Sequence, residues 1–357
     1  MAKTEEDLSI YIHWPFCERK CPYCDFFSQT IPADENKIID SYLNDLNFYH
    51  DLTSERKIKT LFFGGGTPSL IKTQNLEKII DHISNLWGFS SSPEISLEAN
   101  PNSLKAKDLK SAGINRLSLG IQSLNDNFLK FLGRIHDSKT ALSAAKEVSK
   151  TFSNYNFDFI YALPDQTIES WKKDLDIIKD FAPPHLSLYQ LTIEENTPFF
   201  KNNIKPLNED DSLKMYNFTR ENLFIPQYEV SNFAKQGFEC KHNLTYWHGD
   251  DYIGIGKSSH GRLRINNKVF ATTHPQNMEE LSKEERATEV LLMGLRLTKG
   301  INKSRFESIT SINFDNFINK KNKKLLEEQN LIEDKKESLK ITSQGFTLLN
   351  YIIEKLS

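Results

Sequence analysis

Three cysteines lie within eight residues near the start of the sequence: Cys17, Cys21 and Cys24. The C-x3-C-x2-C spacing allows one short loop to place three sulfurs at three corners of one cube. Three thiolates are one ligand too few for a closed four-coordinate metal site. A [4Fe–4S] cluster needs this number if its fourth iron is to stay open for a substrate or cofactor. The spacing therefore predicts an iron–sulfur cluster with one open iron.

A zinc site is the alternative, completed by Cys240 or by a histidine such as His13. Zinc sites more commonly use two separated C-x2-C pairs, and this cluster has no second half. The crowding also argues against a disulfide framework. We therefore favour an iron–sulfur cluster in a reducing cytoplasm. A zinc-stabilised interaction module stays open as a weaker hypothesis.

Further residues that could bind a ligand follow along the first half of the chain. A glycine run, Gly64-Gly65-Gly66-Thr67-Pro68, lets the backbone approach a ligand closely. Glu98 could accept two hydrogen bonds from a ribose diol. Gln122, Arg134 and Asp158 are polar residues in otherwise apolar surroundings. Taken singly, each of these polar residues is better explained by a structural role, and a glycine run alone is weak evidence.

The elements that must position these residues alternate between short β-rich runs and helical patterns up to about residue 195. The predicted strands are Leu8–Trp14, Thr60–Phe63, Glu94–Glu98, Arg116–Ile121, Asn156–Tyr161 and His185–Leu191. The predicted helices are Ile38–Leu46, Leu76–Trp87, Leu104–Ala112, Ala141–Val148 and Ser170–Phe181. A repeated β-then-α order indicates parallel strands, and six units favour a partial (β/α)6 barrel in the α/β class. Ligands of such sheets bind at the carboxyl ends of the strands. The cysteines, the glycine run and the polar residues named above lie at these strand ends.

Two further regions are expected after this partial barrel. Residues 1–195 form the barrel with the cysteine loop, residues 196–278 an extension, and residues 279–357 a small, mainly helical C-terminal domain. A capping-box sequence at Ser282 predicts the start of a helix. The segment from Leu325 to the end resembles a winged-helix module, for which we favour a packing or docking role.

The composition of the chain argues against several classes of protein. The 357 residues carry a net charge of −3, which argues against a basic nucleic-acid-binding surface. No apolar run is long enough for a transmembrane segment, and the first residues lack a signal-peptide core. We therefore expect a cytoplasmic protein without a nucleic-acid partner.

The cysteine loop directly after the first strand of a partial barrel resembles the radical S-adenosylmethionine (SAM) superfamily. In that superfamily the open iron chelates the amino and carboxylate groups of SAM. Together with Tyr11-Ile12-His13-x-Pro15-Phe16-Cys17, the glycine run and the three polar residues above, the pattern resembles the oxygen-independent coproporphyrinogen dehydrogenase group. The resemblance implies that the cluster ligands are Cys17, Cys21 and Cys24. It implies contacts with SAM for Tyr11, Tyr23, Gly65, Gly66, Thr67, Glu98, Gln122, Arg134 and Asp158.

Two features separate relatives within this group. The dehydrogenase has a further cysteine two residues after the third, where this chain has Phe26. A phenyl ring can neither ligate iron nor transfer a hydrogen atom, so the resemblance does not favour dehydrogenase activity. Cys24-Asp25-Phe26 and His242-Asn243-Leu244-Thr245-Tyr246-Trp247 instead resemble the HemW-type haem chaperones.

That resemblance implies haem as a third cofactor besides the [4Fe–4S] cluster and SAM, with His242 as the candidate haem ligand. The implied partners are a reductant protein for the cluster and a haem-accepting protein, such as a membrane-associated respiratory enzyme. The alternative to a ligand role is that His242 is a hydrogen-bonded core histidine beside a packed tryptophan. Anaerobic coproporphyrinogen dehydrogenase is the rival function.

Overall fold

The structure is a computed structural model that describes residues 7–30 and 34–357. Its strands are β1 Leu8–Trp14, β2 Ile58–Gly65, β3 Phe89–Ala99, β4 Arg116–Gln122, β5 Asn154–Tyr161, β6 His185–Gln190, β7 Asn232–Ala234, β8 Tyr252–Ile255, β9 His260–Ile265, β10 Lys268–Thr273, β11 Asn277–Leu281, β12 Ile301–Asn302, β13 Ile332–Asp334 and β14 Ser338–Ile341. Its α-helices are α1 Glu35–Thr53, α2 Thr73–Leu86, α3 Ala106–Ser111, α4 Asp126–Phe131, α5 Ser138–Thr151, α6 Ile168–Asp180, α7 Pro198–Lys201, α8 Glu209–Asn222, α9 Lys241–Trp247, α10 Lys283–Gly294, α11 Lys303–Thr310, α12 Phe314–Phe317, α13 Lys320–Glu328 and α14 Leu349–Leu356.

One large sheet organises the first part of the molecule. Its order is β11-β10-β9-β8-β1-β2-β3-β4-β5-β6-β7, and β1 to β6 are neighbours in chain order and parallel. The helices between them are the crossover connections that parallel pairing requires. The α/β class and the six predicted parallel strands are therefore confirmed. The sheet is open at both edges among the described strands.

The sheet is wider than the six strands that the sequence predicts. β8 pairs parallel with β1 on the side away from β2, and β9, β10 and β11 continue outward as antiparallel strands. β7 closes onto β6 at the other edge. Residues 196–278 therefore add strands to both edges of the same sheet. The four residues of β8 are too short a run to stand out from their glycine-rich surroundings.

The core lies between this sheet and its helices. β1 is buried at six of seven positions, as expected for a central parallel strand covered on both faces. On α2 the buried residues include Leu76, Ile79, Ile80 and Ile83, and this helical spacing gives one apolar face. Burial of such faces holds the strands at fixed positions, so the loops that follow them are fixed as well.

The C-terminal domain has its own core and is mainly helical, as predicted. α10 begins at Ser282, whose hydroxyl accepts from the Glu285 backbone while the Glu285 carboxylate accepts from the Ser282 backbone. This reciprocal capping box confirms the predicted start. β12, β14 and β13 form a small antiparallel sheet against the helices. None of the helices in the described part of the chain combines the length and apolarity needed to cross a bilayer.

Candidate functional site

A cavity of about 430 Å³ opens at the carboxyl ends of β1 to β6. Parallel strands point their carboxyl ends to the same edge of a sheet, so residues distant in sequence meet there. Eleven of the predicted residues line this cavity: Cys17, Cys21, Tyr23, Cys24, Gly65, Gly66, Thr67, Glu98, Gln122, Arg134 and Asp158. Tyr11 and His242 are not on its wall. We call it the strand-end cavity.

The cysteine loop forms one wall of the strand-end cavity. Backbone hydrogen bonds from Cys17 to Gln29 (3.0 Å) and from Cys24 to Cys21 (3.2 Å) fold the loop back on itself. All three thiols are free and partly exposed to the cavity. Burial raises the pKa of Cys24 to about 11, and the neighbouring Cys21 and Cys17 raise it further. Iron binding would release this proton, because metals bind thiolates.

The three cysteines supply the donor set that a [4Fe–4S] cluster requires. Within residues 7–30 and 34–357, no three His, Cys, Asp or Glu side chains are arranged to hold one metal ion. The three free thiols line the wall of a cavity large enough for a ligand. A [4Fe–4S] cluster takes one sulfur on each of three irons, so three thiols on one loop could hold it.

The glycine run lies directly against the cysteine loop. The Gly66 amide donates to the Trp14 carbonyl (2.6 Å) and the Thr67 amide to the Phe16 carbonyl (2.8 Å). A Cβ atom at Gly66 would lie 2.5 Å from the Phe16 carbonyl oxygen, and Gly65 has φ +104°. Glycine is required at both positions, because side chains would push the run away from the loop. The backbone around Gly65 is therefore available to a ligand of the cavity.

Arg134 joins the cysteine loop to the strand ends. Its guanidinium donates to the Cys21 sulfur (3.5 Å), to the Gly120 carbonyl (3.1 Å) and to the Asn100 side chain. Its Nε is buried without a partner among the described residues, which fits a site that awaits a ligand. Asn100 also donates to Thr67 (3.0 Å) and lines the cavity. The sequence analysis missed Asn100, although its place two residues after Glu98 at a strand end was a usable signal.

Two carboxyl groups face the same cavity. Burial, together with the nearby Asp158, raises the pKa of Glu98 to about 8. Burial also raises the pKa of Asp158, although hydrogen bonds from Ser118 (2.8 Å) and Asn156 (2.7 Å) oppose this shift. Carboxyl groups held in this way can accept hydrogen bonds from ligand hydroxyls or balance a ligand cation. The two carboxyl groups could therefore bind the hydroxyls of a ribose or the charged amino group of an amino acid.

Backbone strain marks the end of β4. Gln122 has φ 69°, which is uncommon for a residue with a side chain, and the pairing of β4 with β5 slips between Gly120 and Gln122. Bulges of this kind redirect side chains and often lie beside functional sites. Here the bulge presents Gln122 to the strand-end cavity. Tyr189, at the end of β6, also lines the cavity and was missed, because it was assigned only to the last predicted strand.

Phe26 lies at the mouth of the strand-end cavity and is 62% exposed. Its backbone carbonyl accepts from the Lys20 ammonium group (3.0 Å). The position where the dehydrogenase pattern has a cysteine thus holds an exposed ring beside the three cysteines. An exposed large apolar side chain at a cavity mouth is available to a partner or ligand.

Tyr11 and His242 lie together behind the cavity wall. The His242 ring stacks on Phe62, with ring centroids 5.0 Å apart, and the Tyr11 ring lies 6.3 Å from it. His242 is 1% exposed, and its two ring nitrogens lie 2.7 Å from the Thr60 and Tyr246 hydroxyls. Burial lowers the pKa of His242 to about 3. His242 could therefore ligate iron only if one of these hydrogen bonds were broken, which supports the core-histidine alternative.

A second cavity, of about 490 Å³, lies between α9 and the C-terminal domain, and we call it the α9 cavity. Trp247 and His248, at the end of α9, form part of its wall. Among the described residues none forms a hydrogen bond with the His248 imidazole, and the Trp247 indole N–H is buried without a partner. Burial and the neighbouring cations, first Arg305, lower the pKa of His248 to about 4. The imidazole is therefore neutral near pH 7.

A chain of buried hydrogen bonds leads from one cavity to the other. Asn156 donates to Asp158 (2.7 Å), the His185 ring lies 2.6 Å from the Asn156 side chain, and Tyr228 lies 2.9 Å from the other nitrogen of His185. Asp158 lines the strand-end cavity and Tyr228 lines the α9 cavity. The two cavities are thus joined through the sheet by directional contacts.

Comparison with known families covers most of the chain. Residues 11–178 match the radical SAM superfamily, and residues 281–348 match the HemN C-terminal domain. A solved structure described as coproporphyrinogen III oxidase (HemN) from Escherichia coli, a radical SAM enzyme, superposes with a TM-score of 0.81. It is 20% identical and covers 98% of this chain and 90% of its own. This likeness shows a common fold.

Curated relatives are closer in sequence. The protein named heme chaperone HemW from Buchnera aphidicola subsp. Schizaphis graminum is 36% identical, over 97% of this chain and 97% of its own. That from Haemophilus influenzae is 37% identical over 97% of both chains. That from Escherichia coli is 39% identical over 75% of both. The similarity therefore extends through the cysteine loop, α9 and the C-terminal domain.

Proposed function

Because the chain belongs to the radical SAM superfamily, and within it to the family of its HemW relatives, we propose that it is a haem chaperone. It binds haem, a [4Fe–4S] cluster and SAM, and it transfers haem to an acceptor protein such as a respiratory haem enzyme. The observation that carries this proposal is the near full-length similarity to relatives named heme chaperone HemW. Phe26, in place of the dehydrogenase cysteine, supports it.

The strand-end cavity is the proposed site of the cluster and of SAM. Cys17, Cys21 and Cys24 would hold the cluster, which supplies an open iron for the amino and carboxylate groups of SAM. The backbone around Gly65 and Gly66 approaches the SAM amino acid group closely. Residues from neighbouring strand ends bind the rest of SAM: Thr67, Glu98, Gln122, Arg134 and Asp158.

Arg134 and Tyr23 have positioning roles in this proposal. Arg134 donates toward the Cys21 sulfur, and hydrogen bonds to a cluster sulfur ligand stabilise its thiolate form. Tyr23 lies between two cluster cysteines and packs near Phe199, with ring centroids 6.3 Å apart. These contacts would hold the loop in place around a bound cluster, which would supply an electron-accepting centre. Tyr11 does not line the strand-end cavity. Its hydroxyl lies 3.2 Å from a ring nitrogen of His13, behind the cavity wall.

The decisive experiment is anaerobic reconstitution followed by parallel assays on the full chain. We expect iron and sulfide to be incorporated, about one haem to bind per chain, and bound haem to pass to an apo-acceptor. We expect no conversion of coproporphyrinogen to protoporphyrinogen with SAM and reductant. Robust conversion would instead identify a dehydrogenase. Zinc without iron or sulfide would identify a metal-stabilised interaction module.

The cysteines offer a matched comparison within that experiment. Cys24→Ser removes a proposed cluster ligand, so its affinity for the cluster should fall by more than the roughly tenfold typical of losing an outer-shell partner, and its iron and sulfide content should fall below that of the wild type. Cys240→Ala removes a thiol that is 1% exposed and contacts the Glu94 carboxylate (3.6 Å). It should keep its iron. Equal iron in both variants would contradict the assignment of the cluster to the cysteine loop.

A further inference from the structure

We propose that His136 is a positioning residue for SAM: its imidazole holds the strained backbone turn that directs Gln122 into the strand-end cavity. This inference rests on the proposed function, because it concerns SAM bound in that cavity. His136 lies in the loop between α4 and α5 and does not line the cavity. It therefore acts on SAM binding through Gln122.

The turn at the end of β4 is an unusually tight one. The Ser123 amide donates to the Ile121 carbonyl (3.0 Å), and Gln122 between them has φ 69°. A hydrogen bond between residues two apart, with a positive φ at the central residue, is the pattern of the rare and strained form of γ-turn. Such a conformation persists only where the surrounding structure holds it. The contacts made by the Ile121 carbonyl therefore decide where Gln122 points.

His136 supplies one of these contacts. Its Nε2 lies 3.1 Å from the Ile121 carbonyl oxygen, which also accepts from the Ser123 amide, and its Nδ1 is buried without a partner among the described residues. Because a carbonyl can only accept, the imidazole proton is on Nε2. Burial and the neighbouring Arg134 lower the pKa of His136 to about 4. Near pH 7 the ring is neutral, and its single N–H is donated to the turn.

Contacts on both sides of the turn show that the effect of His136 is local. On one side the Arg134 guanidinium donates to the Gly120 carbonyl (3.1 Å), and on the other the Ser123 hydroxyl donates to the Asp174 carboxylate (3.4 Å). The His136 contact falls between them, on the carbonyl of the turn itself. Loss of the imidazole would free the middle of the turn while its two flanks stay anchored.

The turn places the Gln122 amide group in a cluster of polar side chains. A Cβ atom added at Gly120 would lie 3.0 Å from the Gln122 amide nitrogen, 3.3 Å from the Asn100 side-chain oxygen and 3.5 Å from the Arg134 guanidinium. All four residues line the strand-end cavity. A relaxed turn would move the Gln122 amide out of this cluster. Binding groups must be held within a fraction of an ångström, so SAM would then bind more weakly.

SAM titration of the anaerobically reconstituted full chain tests this role. His136→Leu removes the donated N–H, so the Kd for SAM should rise about tenfold, while iron and sulfide content stay at the wild-type level. His136→Gln keeps an N–H donor and should bind SAM more tightly than His136→Leu does. His82→Leu is the matched control, since the His82 imidazole contacts Asn47 (2.9 Å) between α1 and α2, away from the cavity wall. Its SAM affinity should be unchanged.

A double-mutant cycle with Gln122→Ala distinguishes positioning from a general structural role. Without the Gln122 side chain there is no amide to misplace. Adding His136→Leu to Gln122→Ala should therefore weaken SAM binding by less than about twofold, because coupled residues have non-additive effects. An equal tenfold loss in both backgrounds would show that His136 does not act through Gln122 and would overturn the inference.

Hydrogen exchange of the SAM-free protein gives a second readout. Amides of residues 120–123 should exchange faster in His136→Leu than in the wild type, and His82→Leu should leave them unchanged. If the wild type binds SAM but His136→Leu keeps its affinity, the inference is wrong and the proposed function stands. If the reconstituted wild type binds no SAM, the proposed function fails and the inference with it. Melting curves show whether each variant is folded.

Discussion

The same side-chain types have different chemistry at different positions in this chain. Cys24 borders the strand-end cavity, whereas Cys240 is buried beside Glu94 and Arg116, and burial raises its pKa to about 12. His242 lies in α9 and His248 directly follows its last residue, yet of the two only His248 lines one of the described cavities. Residue identity supplies the possible ligands. Burial and the hydrogen bonds of each residue decide which of them are available.

Glu98 gives a pH-dependent prediction at this scale. Its pKa is raised in the folded state from 4.5 to about 8, so between these values the folded protein retains a proton that the unfolded chain has lost. The free energy of unfolding of SAM-free protein should therefore fall as pH rises from about 5 to about 8, and the effect should level off above pH 8. Denaturant unfolding at several pH values measures this dependence.

Glu98→Gln is the comparison for that measurement. The amide does not titrate. Over the same pH range the free energy of unfolding of the variant should therefore fall by at least about 1 kcal/mol less than that of the wild type. Parallel pH curves for the two proteins would contradict a raised pKa at Glu98. Asp158 is retained in both proteins, so its own titration affects both curves.

At the scale of elements, the site depends on close packing between two loops. The glycine run after β2 donates two backbone hydrogen bonds, from the Gly66 and Thr67 amides, to the end of β1 and the residues that lead into the cysteine loop. Backbone hydrogen bonds within the cysteine loop fold it, and the contact with the glycine run fixes it against the end of β2. The adjacent parallel strands bring the two loops together.

Gly66→Ala tests this packing. The new methyl group would lie 2.5 Å from the Phe16 carbonyl, so one loop must move, at a cost of about 1–3 kcal/mol. We expect the iron content after reconstitution to fall, because the displaced loop carries Cys17. Gly237→Ala is the control: nothing lies within 4 Å of its added Cβ, although its φ of +87° carries a cost. Iron content equal in the two variants would show that the contact is unimportant.

At the scale of the whole molecule, the sheet joins two cavities that face different ends. Tyr228 links several parts: its hydroxyl contacts His185 (2.9 Å) and the Cys240 amide (3.3 Å), and its carbonyl accepts from the Thr298 amide (3.0 Å). Arg305 adds a contact from the C-terminal domain to the loop after α9. The C-terminal domain is thus fastened to the sheet beside the α9 cavity.

Tyr228→Phe should show how much these contacts of Tyr228 contribute to the stability of the protein. Removing the hydroxyl leaves buried groups of His185 and Cys240 without a partner, so the free energy of unfolding should fall by about 1–3 kcal/mol. Tyr351→Phe is the control, since Tyr351 is 42% exposed and its loss should change stability by less than about 0.5 kcal/mol. Denaturant titration measures both. A Tyr228→Phe variant as stable as the control would contradict a structural role for the network.

Much of the fold could be predicted from local pattern. β1 begins and ends where the apolar run Leu8–Trp14 does, and α10 begins at the predicted capping box at Ser282. Both depend on interactions within a few residues. β8 could not be predicted in this way, because its pairing with β1 joins segments more than two hundred residues apart and its own pattern is short.

For the site, the sequence by itself determined the candidate ligand set: three cysteines at fixed spacing, a glycine run, and polar residues at strand ends. These signals are local, and the parallel order of the strands is sufficient to gather them at one edge. Only the tertiary structure decided which histidine of α9 is accessible and that a second cavity lies beside it. Burial of His242 depends on Thr60 and Phe62, and exposure of His248 depends on how the C-terminal domain packs. Such contacts join distant parts of the chain, and no local pattern records them.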